Sequence, residues 1–216
     1  MIDIYYCRDH GANSFFGINE KNEAFLVDAS FSENGGLIDH IKKINIKLVA
    51  ILLTHGHWDH ISSLEEICKL FPDVRVYISE NEAEFLENTD LNLSKVAHDE
   101  GYPVPIVSYL PKNLIKVYDG DIIKEAGFEI KVILTPFHTI GSACYYVASE
   151  NALFSGDTLF FSTIGRTDLP TGNARLMESS LRKLKILPDG IKVYPGHGAC
   201  TKLDREKKYN TYLKNI

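Results

Sequence analysis

The heptapeptide Thr54-His55-Gly56-His57-Trp58-Asp59-His60 puts three imidazoles and a carboxylate within six consecutive positions, directly after the apolar run Leu48 to Leu53. Imidazole nitrogens and carboxylate oxygens bind zinc, iron and manganese, so the composition points to a metal site. Along an extended strand alternate side chains leave on the same face, which brings His55 and His57 out together at its end. Gly56 permits the bend, and a turn into a helix brings Asp59 and His60 round toward the same space. Catalytic zinc takes three protein ligands and keeps a position open for water, so four ligands from one segment exceed the needs of one ion. Two ions are the reading that accommodates them. A polar loop with incidental histidines is the plainer alternative, yet five of the eight histidines fall within three short motifs, a concentration that a solvated loop does not require.

Those further motifs are Thr135-Pro-Phe-His-Thr-Ile-Gly-Ser142, which holds His138, and Tyr194-Pro-Gly-His-Gly198, which holds His197; Ser155-Gly-Asp-Thr158 adds Asp157. Each follows the end of an expected strand and sits among Gly, Pro and Thr, where loops close around an ion. A metal lowers the pKa of bound water from about 15.7 to about 7, and a second ion about 3.5–4 Å away holds a substrate oxygen. The chemistry that follows is hydrolysis: hydroxide attacks a carbonyl and metal charge holds the oxyanion. A thiolate leaving group, with a thiol pKa of about 8.5, needs little protonation. The sequence shows no Ser-His-Asp or Cys-His arrangement that would serve instead.

Ile2 to Cys7, Ser14 to Ile18 and Ala24 to Val27 form a meander of short strands. Asp28 closes it, either as the turn residue that ends a hairpin or as a carboxylate beneath the metal site. Gly35 to Ile44 has helical spacing, and Lys47 to Leu53 is a strand covered on both faces that delivers His55. A helix from Ile61 to Phe71 has Cys68 on its core side, and Val74 to Ile78 is a strand. Ser79 and Glu82 pair as a capping box for the next helix. Asn88 to Pro111 breaks the pattern as a loop that walls a pocket, with His98 on its surface. Strands at Ile115 to Tyr118, Ile122 to Lys124, Phe128 to Leu134, Ala143 to Val147 and Ala152 to Phe154 then repeat the texture of the first half. Asn173 to Leu187 is a helix, Val193-Tyr194 a last strand and Asp204 to Ile216 a charged helix. Meander, helices, meander, helices implies two sheets back to back with helices outside.

The chain of 216 residues suits one domain over 1–216 and can bury its own core. A net charge of −6, with Arg205 to Lys208 as the one basic run, argues against nucleic acid as a partner. Cys7, Cys68, Cys144 and Cys200 are scattered singly, and the N-terminus lacks the basic-then-apolar pattern of a signal peptide, which together give a reducing, cytoplasmic reading. No apolar run approaches the roughly 20 residues that cross a bilayer. Oligomeric state is not assigned.

In their order along the chain the four motifs resemble the metallo-β-lactamase superfamily, from about Asn13 to the C-terminus. Within it Gly165-Arg-Thr-Asp-Leu-Pro170, Leu91-Asn-Leu-Ser94 and Pro195-Gly-His-Gly198 are similar to the short bacterial branch of glyoxalase II-like hydrolases. The resemblance implies an α/β fold, an αββα sandwich of two mixed sheets flanked by helices, with a binuclear centre at one edge. It implies that His55, His57 and His138 hold one metal, that Asp59, His60 and His197 hold the other and that Asp157 bridges, with Asp59 and Asp157 as the catalytic carboxylates. The expected ions are two divalent metals, zinc first and iron or manganese as alternatives, and the expected substrate is a small acyl thioester such as S-lactoylglutathione.

Two departures bear on the thiol half of that substrate. The chain ends soon after Glu206, without the helical C-terminal domain of the longer glyoxalase II enzymes, so glutathione contacts fall to the Asn88 to Pro111 loop, Arg166 and Lys202. Arg166 either holds a substrate carboxylate or ties its loop to Asp168. Phe137 stands where the family has Gly; we read its ring as projecting into the cleft and narrowing it, with a strained backbone or a ring turned into the core as alternatives. Rival functions are a mononuclear iron persulfide dioxygenase, whose final histidine usually follows Ala where this chain has Gly196, and a non-catalytic binding module of the same fold, which would tend to lose ligands that this chain keeps.

Overall fold

The computed structural model describes residues 1–5, 11–31 and 36–216. Cys7 and Gly35 therefore lie outside the described residues. Six strands, β1 (Ile2–Tyr5), β2 (Ser14–Ile18), β3 (Glu23–Val27), β4 (Lys47–Leu52), β5 (Arg75–Ser79) and β6 (Leu114–Val117), pair in sequence order as one sheet. Its first two pairings are antiparallel and the other three parallel. The chain then crosses to a second sheet with β7 (Ile122–Glu125), β8 (Phe128–Leu134), β9 (Ala143–Val147) and β10 (Ala152–Gly156). It makes a small hairpin of β11 (Leu159–Phe160) and β12 (Thr163–Ile164), then returns with β13 (Lys192–Pro195) and β14 (Thr201–Lys202). The order of that sheet is β14-β13-β10-β9-β8-β7, with β10 and β13 parallel and the rest antiparallel.

Alternation of apolar side chains builds three layers. Phe25 and Val27 of β3 and Ala50 and Leu52 of β4 meet Phe128, Ile130, Tyr145 and Phe154 between the sheets. Their neighbours Ala24, Leu26, Leu48 and Ile51 face outward onto α1 (Gly36–Ile44), α2 (Trp58–Ile61) and α3 (Leu64–Leu70). A register shift between Ala24 and Phe25 inserts one extra residue in β4, which is why Leu48 and Ile51, three apart, share a face. After α4 (Ser94–Asp99), the remaining helices α5 (Met177–Lys185), α6 (Leu203–Tyr209) and α7 (Thr211–Lys214) cover the outer face of the second sheet through Leu181, Leu184, Leu203 and Leu213. The architecture is the αββα sandwich of two mixed sheets.

Several element boundaries differ from the sequence reading for local reasons. The helix expected to begin at Ile61 is preceded by the separate turn α2, because Ser63 gives its backbone N–H to Ala29 O and its hydroxyl to Ser30 O in place of helical partners. The C-terminal helix breaks at Asn210, whose side chain accepts from Tyr212 N and starts α7. Ser79 and Glu82 form no capping box: Glu80–Leu86 is a 3-10 helix without a side-chain cap, and Glu82 turns inward. The Asn88 to Pro111 stretch contains α4, fixed by Asn92 Nδ2 donating to Phe85 O and Val107 O, at 2.8 and 2.9 Å.

Candidate metal centre

Every residue of the constellation emerges where a strand ends on the same edge of the sandwich. His55 to His60 follow β4; His138 lies between β8 and β9; Asp157 follows β10; His197 follows β13. Two contacts lace the sheets there, Ala143 N donating to Thr54 O at 2.8 Å and the Tyr145 hydroxyl to Leu53 O at 2.8 Å. Parallel β10 and β13 thus carry Asp157 and His197 to one place, and β4 brings the first motif to meet them from the other sheet.

The structure brings all seven candidate ligands together. His57 Nδ1 lies 3.1 Å from both His55 Nε2 and His138 Nε2. His55 Nδ1 meets the Thr54 hydroxyl oxygen at 3.2 Å, and that hydroxyl donates to Asp28 Oδ2. His138 Nδ1 donates to Arg166 O at 2.8 Å. Both rings therefore carry their proton on Nδ1 and present the Nε2 lone pair. Three lone pairs facing one point repel unless a cation lies between them, and 3.1 Å is close to the about 3.3 Å edge of a tetrahedron with nitrogens about 2.0–2.1 Å from its centre.

Asp157 stands between the two halves. Its Oδ1 is 3.4 Å from His60 Nε2, while Oδ2 is 3.5 Å from His138 Nε2 and 3.6 Å from His197 Nε2. Asp59 Oδ2 lies 3.0 Å from His197 Nε2 and 3.7 Å from His60 Nε2. The ligand atoms of His55, His57 and His138, of His55, His60 and Asp157, and of Asp59, His60 and His197 form three groups, each within 4.8 Å. His60 Nε2 and Asp157 Oδ1 are buried without a hydrogen-bond partner, a costly arrangement that a metal ion would relieve. This donor set fits two divalent cations, and imidazole with carboxylate accepts zinc, iron or manganese alike.

Burial first, then the neighbouring rings, holds His55 well below the usual histidine range and brings His57 to about 3, so both are neutral and able to bind metal. Burial pushes the Asp157 carboxyl upward, but His197 and His60 outweigh it and hold the group well below the ordinary range; Asp59 is lowered in the same way by His60 and His197. Burial lowers His60, and Asp28, Asp59 and Asp157 together raise it well above the usual value. This half of the site draws positive charge.

Asp28 is the carboxylate beneath the site. It sits at φ 59° and is buried; Oδ2 accepts from His60 Nδ1 at 2.8 Å, and Oδ1 accepts from Thr54 N at 2.8 Å. That bond aims His60 Nε2 at Asp157. Gly165 and Gly196 are required by close approach: a Cβ at 165 would stand 2.0 Å from Asp157 O, and one at 196 would stand 2.3 Å from Asp157 Oδ1 and 2.7 Å from His60 Cε1.

Two supports escaped the sequence reading. Asn13 Nδ2 donates to Pro195 O and Gly198 O at 3.0 Å each, holding the His197 loop. Glu82 is fully buried and accepts from Gly56 N at 2.9 Å and Gly141 N at 2.8 Å, joining the His55–His57 bend to the His138 loop. Burial pushes its carboxyl up to about 7 against the hydrogen bonds it receives. In sequence it reads as the capping-box partner of Ser79, a local role at a helix start that carries no sign of these distant partners. Glu82→Ala should cost about 2–6 kcal/mol in denaturant unfolding, since each of two buried N–H groups left unpaired costs about 1–3 kcal/mol. A loss below about 1 kcal/mol would mean that water replaces the carboxylate.

Two substrate-residue expectations are corrected. Phe137 does not project into the cleft: it is 0% exposed and packs in the outer layer of the second sheet with Leu153, Leu159 and Leu181, at a φ outside the left-handed region. Lys202 does not line the cleft, because β14 runs back along β13 and sets it opposite Lys192, at the end of β13 away from His197. Arg166 does line the cleft, with its guanidinium held by both oxygens of Asp168 at 2.6 and 2.7 Å. Cys68 packs against the apolar layer around α3, and His98 lies on the surface near Val104 O.

Five of the candidate ligands, His57, Asp59, His138, Asp157 and His197, floor an open cleft of about 270 Å³, walled by Trp58, Leu93, Phe160, Gly165, Arg166 and Leu169. The sequence profile described as the Metallo-beta-lactamase superfamily matches residues 8–197. A probable metallo-hydrolase of Streptococcus pyogenes is 37% identical over 217 residues, covering 99% of this chain and 91% of its own. The hydroxyacylglutathione hydrolase GloC of Haemophilus influenzae is 33% identical over 198 residues, covering 91% and 90%. The crystal structure of BLEG-1, described as a B3 metallo-beta-lactamase, superposes with a TM-score of 0.87 at 32% identity over 99% of both chains.

Proposed function

The chain belongs to the metallo-beta-lactamase superfamily, and from that premise we propose that it is a binuclear metal-dependent hydrolase of small acyl thioesters, of the hydroxyacylglutathione type. The observation that carries this reading is Asp157, whose carboxylate lies between the two histidine groups at the floor of an open cleft, with Oδ1 near His60 and Oδ2 near both His138 and His197. His55, His57 and His138 would hold one ion, Asp59, His60 and His197 the other, and Asp157 both; zinc is the proposed metal, with iron or manganese as alternatives. Two ions held there would supply hydroxide at neutral pH and a positive seat for the carbonyl oxygen. Asp59, with 16% of its side chain exposed, faces the cleft and is placed to accept the proton that the attacking water gives up. Trp58, Leu93 and Leu169 shield the carbonyl from bulk water on one side. A thiolate leaves without a dedicated acid, and no other proton donor is needed.

The likeness to the GloC hydrolase supports the thioester, and the small-molecule dimensions of the cleft suit it better than a polymer. Among the described residues no helix is long and apolar enough to cross a membrane. The test is hydrolysis of S-lactoylglutathione by zinc-loaded protein: chelation should abolish it and added zinc restore it, whereas demetallated protein turning over at the full rate would refute the mechanism. Similarity to BLEG-1 across 99% of both chains favours β-lactam hydrolysis as a second reading. A chromogenic cephalosporin cleaved with a higher kcat/KM than the thioester would move the assignment there.

A further inference from the structure

The metal cleft opens into a second chamber of about 530 Å³, nearly twice its volume, and shares Trp58, Leu93, Arg166 and Leu169 with it. The remaining wall is Val96, Ala97, Glu100 and Tyr102, from α4 and the turn after it. This wall is fixed to the metal motif. Trp58 N donates to Asn92 O at 2.8 Å, the Trp58 ring packs edge-on against Phe31, and the Ser94 hydroxyl oxygen accepts from Val107 N at 2.9 Å, so the chamber is formed before any ligand arrives.

Its charge is the informative feature. Arg166 is neutralised by Asp168 through two bonds, and Glu100 makes no ion pair among the described residues. Lys202, the other cation expected near the substrate, lies at the far end of β13. Among the described residues the wall combines the apolar surfaces of Trp58, Leu93, Val96, Ala97 and Leu169 with Tyr102, the paired Arg166 and the carboxylate of Glu100. Glutathione carries two carboxylates and one ammonium, and would bring net negative charge against Glu100. A chain of methylene and neutral amide groups would lie against Trp58, Leu93 and Val96 without that opposition.

We propose that this chamber binds the thiol half of the substrate and selects an uncharged, amide-bearing thiol of the pantetheine kind over glutathione. The proposal rests on the thioesterase reading of the metal cleft: with the carbonyl over the metal ligands, a small acyl group occupies the smaller space and the longer thiol arm runs into the larger one.

The experiment compares two thioesters with the same lactoyl group, one on pantetheine and one on glutathione, using zinc-loaded protein. The pantetheine ester should have a kcat/KM about tenfold higher or more, and Glu100→Lys should erase most of that difference by improving the glutathione ester. Val96→Asp, at a half-exposed position on α4, should raise KM for the pantetheine ester about tenfold with metal content unchanged. Equal or better use of the glutathione ester by the wild type, or a ratio that neither variant moves, would overturn the proposal. Calorimetry with the matching S-methyl thioethers, which cannot be hydrolysed, reads the chamber separately. Tighter binding of the pantetheine thioether with no turnover of either ester would uphold the chamber's selectivity while refuting the thioesterase reading, and tighter binding of the glutathione thioether would refute the chamber's role whatever the turnover.

Discussion

Asp157→Ala should lower kcat/KM for the thioester by about 10³-fold or more, which is about 4 kcal/mol of transition-state stabilisation. One residue serves both halves of the site, since Oδ1 faces His60 and Oδ2 faces His138 and His197. Its removal leaves each proposed ion one ligand short and takes away the negative charge that helps hold His60 and His197 above their ordinary protonation range. Metal content should fall with activity. Cys68→Ala, in α3 and outside the residues that line the cleft, should leave turnover nearly intact, because Cys68 packs against the apolar layer there and bonds Tyr109. Equal damage from both substitutions would point to general loss of folding and would remove Asp157 from its bridging role.

Gly196→Ala should cost about 10²-fold in kcat/KM, the scale on which a displacement of about 1 Å at a reacting centre is felt. A methyl group there would stand 2.3 Å from Asp157 Oδ1 and 2.7 Å from His60 Cε1. Neither neighbour is a flexible chain end: Asp157 follows β10 directly, and His60 is held by Asp28. The methyl therefore pushes on Asp157 and His60 and meets none of His55, His57 and His138 directly, so the half formed by Asp59, His60 and His197 suffers more. The expected product is a protein with one ion per chain, bound by His55, His57 and His138. A variant that keeps two ions and full activity would show that Gly196 only eases the turn before His197.

The candidate ligands were legible because strand ends broadcast them. His55 and His57 at spacing two after an apolar run, and His138, Asp157 and His197 after expected strands, need no knowledge of tertiary contacts to be suspected. The sandwich was legible for a similar reason, since runs such as Ala24 to Val27 and Phe128 to Leu134 alternate faces over enough residues to be counted. What was not legible depends on which loops meet. Glu82 and Asn13 bind backbone groups that are distant in sequence, so nothing in their own neighbourhoods separates them from solvated residues. Lys202 sits five residues after His197, and the reversal into the two-residue strand β14 that carries it away is too short to leave a periodic signal. Phe137 was expected in the cleft from its place beside His138, but both lie in the turn after β8, whose geometry no periodic pattern reports, and there the ring packs into the outer core with Leu153, Leu159 and Leu181.

Sharing of Asp157 by two ions is read from metal content. Protein purified without added metal, exchanged into metal-free buffer and analysed by mass spectrometry should contain close to two divalent ions per chain, and Asp157→Ala should contain fewer than one. One iron per chain in the wild type, unchanged when zinc is supplied, would contradict the binuclear centre and favour a mononuclear oxygen-dependent reaction at His55, His57 and His138.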